Sequence, residues 1–284
     1  MRSSCKTLDR IIALTTLVLG QALLRATPLA AQSAPPVSEP THAKSLFTWN
    51  DAILGGTFIA GTFAIRPLDK SAADALQVPS RQQRVLFRRA ATFVREIADP
   101  GSFLIGGSMY AVGRLTHEER LAEIGLHGTE ALAIGAVAGE VLKDFFGRAR
   151  PFVDSVPDPD NWQLMRGFKR GGNYQSFPSG HTTAAFAAAA AVSAETSKWY
   201  PGATYFLIGP VLYAGAAGVG LSRMYNNRHW ASDVILGAAI GTFAGMKVVR
   251  YHSNHPNTGV DRLLLRADLS PSDFSHISFS ILPS

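Results

Sequence analysis

The chain has 284 residues, a formal net charge of +6, 46% hydrophobic residues and a mean hydropathy of +0.09. Residues 1–31 hold +3 of that charge, and the +3 left elsewhere is too small to mark a nucleic-acid-binding protein, though it suits an anionic substrate or a membrane surface. The single cysteine, Cys5, excludes a disulfide framework, and its place in the leader excludes thiol chemistry in the mature chain. No repeat or low-complexity linker divides the chain, which favours one large domain.

At the N-terminus Arg2, Lys6 and Arg10 precede an apolar run from Ile11 to Leu24, and small residues around Ala30, Ala31 and Ser33 offer cleavage points. Residues 1–31 read as a signal peptide, or as an uncleaved anchor. Residues 32–50, rich in Pro, Ser and Thr, read as a flexible lead-in. The main domain is expected over 51–250 and a polar tail over 251–284. Residues 52–65 and 102–115 are apolar runs too short for confident spans. Arg81 to Ala98 mixes arginines with Val85, Leu86, Phe87, Phe93 and Val94, which predicts an amphipathic helix on the bundle surface or along a membrane interface.

Leu121 to Phe146 has a long helical pattern carrying Glu123, His127, Glu130 and Glu140, which should face other helices, water or a site rather than lipid. Residues 182–195 predict a strong Ala-rich helix, 203–221 a run near spanning length, and 231–249 a last apolar helix. In that last helix Gly237, Gly241 and Gly245 form a stripe that admits close packing. In the tail, Phe274 to Ile281 alternates like a strand and, with Arg262 to Leu269, reads as a short hairpin. His252, His255 and His276 show no ligand-like spacing and are expected at the surface. The arginine-rich residues 66–100 suggest a cytoplasmic face if their flanking runs span. Counting onward puts Arg150 there too, on the wrong side for an exported enzyme. The short runs are therefore expected to be buried or half-inserted helices.

Three motifs carry chemistry. The first is Lys143 with Arg150-Pro151, where Pro151 ends the preceding helix and two cations flank one loop, as a phosphate's oxygens require. Arg148 beside them reads either as an extra phosphate contact or as a solvated helix-end arginine. The second is Pro178-Ser179-Gly180-His181 at a helix start, where free N–H groups and the dipole favour an anion. Ser179 reads as an N-cap or a ligand contact, and His181 alone as a cap or core histidine. The third is Ser222-Arg223, His229 and Asp233. The last two lie four apart, so on a helix the carboxylate fixes the imidazole tautomer while Arg223 clamps an anion. Trp230 is expected to be packing. Eleven specified positions at about one in twenty each make a chance match on the order of 10⁻¹⁴.

Together, Lys143-x6-Arg150-Pro151, Pro178-Ser179-Gly180-His181 and Ser222-Arg223-x5-His229-x3-Asp233 resemble the type 2 phosphatidic acid phosphatase (PAP2) superfamily, whose site is shared with vanadium haloperoxidases. The resemblance covers about residues 100 to 250. It implies an all-α helical bundle of about six core helices and metal-free phosphatase chemistry through a phosphohistidine. In that reading His229 is the nucleophile, Asp233 holds its other ring nitrogen, and His181 is the acid and then the base. Lys143, Arg150, Ser179, Gly180 and Arg223 bind the phosphate.

The expected substrate is a phosphomonoester or diphosphate, favoured as a lipid phosphate because apolar helices flank the motifs. No cofactor and no metal are expected. The expected place is the cell envelope, membrane-associated or multi-pass with the site facing the periplasm, and a homo-oligomer is allowed. The alternatives are a soluble periplasmic acid phosphatase and a haloperoxidase that would take vanadate.

Overall fold

The computed structural model describes residues 45–255 and 258–265, and among these the chain is helical with no strand. Helix α1 spans Trp49–Ile65, α2 Asp69–Leu76, α3 Pro79–Gln82, α4 Val85–Glu96 and α5 Ser102–Leu115. Next come α6 (Glu119–Phe146), α7 (Arg166–Arg170), α8 (Gly180–Trp199), α9 (Gly209–Tyr225), α10 (Ala231–Asn254) and α11 (Gly259–Leu264). A π turn, Thr204–Ile208, joins α9 to a short turn at Pro201–Ala203. The six long helices α1, α5, α6, α8, α9 and α10 form the expected all-α bundle. The signal-peptide region, most of the lead-in, His276 and the 274–281 alternation lie outside the described residues.

Small residues set the packing. Helices α8 and α10 run parallel, with Gly237 facing Ser179, Gly241 facing Thr183 and Gly245 facing Ala187. A Cβ on Gly245 would lie 2.6 Å from the Ala187 carbonyl oxygen, so only glycine permits this approach. Helix α6 runs antiparallel to α8 and packs with α5 as a hairpin, Gly106 meeting Thr129 and Gly125 meeting Tyr110. The apolar core lies among α1, α8, α9 and α10, where Phe58, Phe186, Tyr213, Val234 and Ile235 are buried together. Burying such side chains contributes roughly 1.5–3 kcal/mol each.

Several apolar side chains face outward instead. Ile134, Val137 and Val141 make one exposed stripe on α6, and Phe206, Leu207 and Val211 lead into α9. Two helical stretches, Pro201–Tyr225 and Ala231–Asn254, are long and apolar enough to cross a membrane.

Some expectations change. The Arg81–Ala98 stretch is interrupted between Gln82 and Val85, and Val85, Leu86 and Phe93 are exposed on its outer surface. Helix α10 runs on to Asn254, four residues into the polar tail expected from Tyr251. The start of the expected hairpin is helical, since α11 covers Gly259–Leu264, with the Thr258 hydroxyl accepting the Asp261 N–H at 3.0 Å. His255 is exposed as expected, but His252 is buried in an ionic cluster.

Candidate active site

The three motifs meet where α6 ends and where α8 and α10 begin. Gly147, at φ +55, terminates α6 in the left-handed region, and its N–H returns to the Lys143 carbonyl at 3.0 Å. One turn earlier, the Lys143 ammonium reaches the first turn of α8. A Cβ on Gly180 would sit 2.7 Å from Nζ, so glycine is what lets the cation close on this helix start. Glu140 pairs with the same ammonium.

The two arginines of Arg148-Ala149-Arg150 reach different partners. The Arg150 Nη1 donates to the His229 Nε2 at 3.2 Å and to the Arg228 carbonyl at 3.1 Å. Its Nε donates to the Gly172 carbonyl at 2.5 Å, and its backbone N–H to the Asn173 carbonyl at 3.0 Å.

Arg148 is buried, neither solvated nor a phosphate contact. Its Nη1 donates to Asp233 Oδ1 at 2.6 Å and Ser232 Oγ at 2.8 Å. Its Nη2 donates to Asp69 Oδ2 at 2.7 Å and to the Pro159 carbonyl at 2.8 Å. Trp162 stacks 4.4 Å from its Cζ. Asp69 in turn accepts from the Ser232 N–H at 2.8 Å and its hydroxyl at 2.5 Å. Arg148 is therefore an internal strut that fixes the start of α10.

His229 is buried, with Nδ1 2.7 Å from the Ser176 carbonyl oxygen. A carbonyl only accepts, so Nδ1 carries the hydrogen and Nε2 presents its lone pair beside Arg150. Asp233 Oδ2 stands farther off, 3.5 Å from Nδ1. That oxygen accepts the Ser176 hydroxyl at 2.6 Å and the Trp230 N–H at 2.8 Å. The carboxylate thus holds the segment that holds the histidine, one step behind the position expected from i, i+4 spacing. Trp230 is buried packing, its indole donating to the Ala149 carbonyl at 2.9 Å.

Ser179 is the N-cap residue of α8, but its side chain accepts none of the helix's N–H groups. Its hydroxyl oxygen accepts from Thr182 at 2.8 Å, and its N–H donates to the Asp233 carbonyl at 3.0 Å, tying the starts of α8 and α10 together. Arg223 lies buried in the last turn of α9. Burial pushes His181 down to about 3, and the charges of Arg223, His229 and Lys143 add to the effect. His229 is held well below the usual histidine range by burial, then by Arg150, Arg223 and Lys143. Two neutral imidazoles within three cations make a site for a multiply charged anion. All eight residues singled out in the sequence are brought to this end of the bundle. Asp69, the Ser176 carbonyl and the Gly172 and Asn173 carbonyls were not foreseen, since backbone oxygens and an aspartate outside every motif leave no local signal.

Residues 126–256 match the model of the PAP2 superfamily. The lipid A 1-phosphatase of Porphyromonas gingivalis is 39% identical over 105 residues, which cover 32% of this chain. The match spans 22% of that relative's length. The crystal structure of a transmembrane PAP2 type phosphatidylglycerolphosphate phosphatase from Bacillus subtilis aligns at a TM-score of 0.55 with 17% identity, covering 75% of this chain and 99% of that one. The two share the fold. Aquifex aeolicus LpxE aligns at a TM-score of 0.45 with 20% identity, over 66% of this chain and 94% of its own.

Proposed function

We propose that the protein hydrolyses a phosphate from a membrane lipid through a phosphohistidine. The observation that carries this reading is the lone pair of His229 Nε2, fixed by the Ser176 carbonyl and aimed among Arg150, Arg223 and Lys143. An incoming phosphate takes over the Arg150 contact, and its charge is met by the three cations and the N–H groups opening α8. Nε2 attacks phosphorus as the phosphorus–oxygen ester bond breaks, and His181 relays the proton of the substrate monoanion to the leaving oxygen. His181 then takes a proton from water, whose oxygen attacks phosphorus, and the phosphorus–nitrogen bond breaks. This cage is cationic and repels a metal ion, so the hydrolysis runs on imidazole and guanidinium alone.

A lipid is favoured because the site tops a bundle with exposed apolar stripes and two helices of spanning length. The named lipid substrates of the relatives point the same way. In this reading the bundle sits in the cell envelope with the phosphate site on the periplasmic face.

The test uses purified full-length chain in detergent with EDTA and a radiolabelled lipid phosphomonoester. Alkali-stable, acid-labile label should appear on the protein during turnover, and His229→Ala should abolish it with phosphate release down at least about 10³-fold. Release unchanged in that variant would end the nucleophile assignment. Equal kcat/KM for a lipid and for a short water-soluble ester would end the lipid preference.

A further inference from the structure

At the opposite end of the bundle is a second polar cluster that the phosphate chemistry does not use. His252 lies 19 residues beyond Asp233 on α10, about 28 Å away at 1.5 Å per residue. It stacks on His127 of α6 with ring centroids 4.1 Å apart and an interplanar angle of 18°. Asp261 of α11 closes the group.

The outer nitrogens are already engaged. His127 Nδ1 faces Glu195 Oε1 at 2.5 Å, and His252 Nε2 faces Glu130 Oε2 at 2.7 Å. A carboxylate only accepts, so both outer nitrogens carry hydrogens, and in neutral rings both inner nitrogens present lone pairs. His127 Nε2 is buried and has no hydrogen-bond partner among the described residues. It faces Asp261 Oδ1 at 4.0 Å, and His252 Nδ1 lies 2.7 Å from the same oxygen. One potential ligand atom from each of His127, His252 and Asp261 thus lies within 4.8 Å of the others. Lys198 answers Glu195 at 2.7 Å, and Glu130 and Asp261 both face His252.

We propose that His127, His252 and Asp261 bind one divalent cation of the zinc class, which fastens α11 across the ends of α6 and α10. Two imidazoles and a carboxylate are the donor set of a borderline-soft ion. Carboxylates on the far nitrogens are the partners that orient such histidines and raise their basicity. Bonds of about 2.0–2.2 Å in a tetrahedral site separate ligand atoms by roughly 3.3 Å, inside the range seen here. The fourth position opens on a cavity of about 680 Å³, lined among others by Arg114, His117 and Glu123, where water completes the coordination. The ion sits far from the phosphate site, so it holds structure and takes no part in hydrolysis.

The experiment uses the full-length, tag-free chain in detergent, stripped with a chelator and titrated with Zn²⁺ alone. The expected result is one Zn²⁺ per chain by elemental analysis, a raised Tm, and visible absorption bands of tetrahedral Co²⁺ when cobalt replaces zinc. Asp261→Asn and His127→Gln should weaken binding by more than the roughly 10–100-fold lost with an outer-shell partner, while His255→Gln, at an exposed residue, should leave it unchanged. His127→Gln tests the unpartnered nitrogen even if the aspartate variant misfolds. No stoichiometric uptake by the wild type, or uptake that survives both substitutions, would overturn the proposal.

Discussion

Arg148→Met should do more damage than any single change in the phosphate cage. Arg148 bridges Asp69 and Asp233 at 2.7 and 2.6 Å, and all three side chains are fully buried. Methionine fills similar space but leaves two carboxylates without their cation. Breaking a buried pair in this way costs about 3–5 kcal/mol. For a chain of this size each kcal/mol lowers Tm by roughly 2–4 °C, so the expected drop is about 6–20 °C. The pH dependence separates charge from packing. Burial raises the Asp69 carboxyl above the ordinary carboxylate range, and Arg148 opposes that rise. Without Arg148 the folded value climbs further. A carboxyl raised in the folded state contributes stability that is full below its unfolded value of about 3.9 and is lost as pH rises through the folded value. The deficit of Arg148→Met against wild type should therefore be small near pH 5 and large at pH 8. Thermal unfolding in detergent, followed by tryptophan fluorescence, reads it directly through Trp162 and Trp230, which both lie against the guanidinium. A deficit under about 2 °C, or one equal at both pH values, would refute the ionic strut.

Three further outcomes are expected. The free site holds His181 down to about 3 and His229 well below its ordinary value, so the proposed nucleophile is unprotonated and the proposed acid lacks its proton. The proton must then arrive with a substrate monoanion, whose second ionisation lies near 6. As pH rises through that value the monoanion is lost, so kcat/KM should fall. A pH profile flat to pH 8 would contradict this. Glu140→Gln removes the carboxylate paired with Lys143. Because that pair is partly exposed, phosphate should inhibit only up to about fivefold more tightly, measured by competition. Gly245→Val would push α8 and α10 apart at Ala187 and Ala190, with a loss of about 1–3 kcal/mol visible as a lower Tm.

The candidate site was legible because its chemistry is written in residue types at short spacings. A histidine four residues before an aspartate and a Ser-Gly pair at a helix start each state a local geometry. The roles blurred where a backbone carbonyl intervened. Ser176, 53 residues upstream of His229, takes the ring nitrogen that spacing alone assigns to Asp233. Arg148 was unreadable for a related reason, since its partner Asp69 lies 79 residues away in a helix outside the motifs. His252 looked isolated because its partners come from α6 and α11, and no short spacing links them. The helix at 259–264 did leave a signal. Thr258 followed three residues later by Asp261 is a capping pattern, and it outweighs apolar alternation in so short a segment.

Helices α8 and α10 run parallel, so their dipoles add at each end of the bundle, against the opposed dipole of antiparallel α6. Their positive dipole ends meet at Gly180 and Ala231, where Ser179 N–H to Asp233 carbonyl joins them. Their negative ends point the other way, toward Glu195 and His252. Each terminus contributes roughly 0.3–1 kcal/mol toward an ion of the matching sign. An antiparallel pair would have cancelled this polarity at both ends. The glycine stripe fixes the parallel contact through Gly237, Gly241 and Gly245, so one packing choice favours an anion at His229 and a cation at His127 and His252.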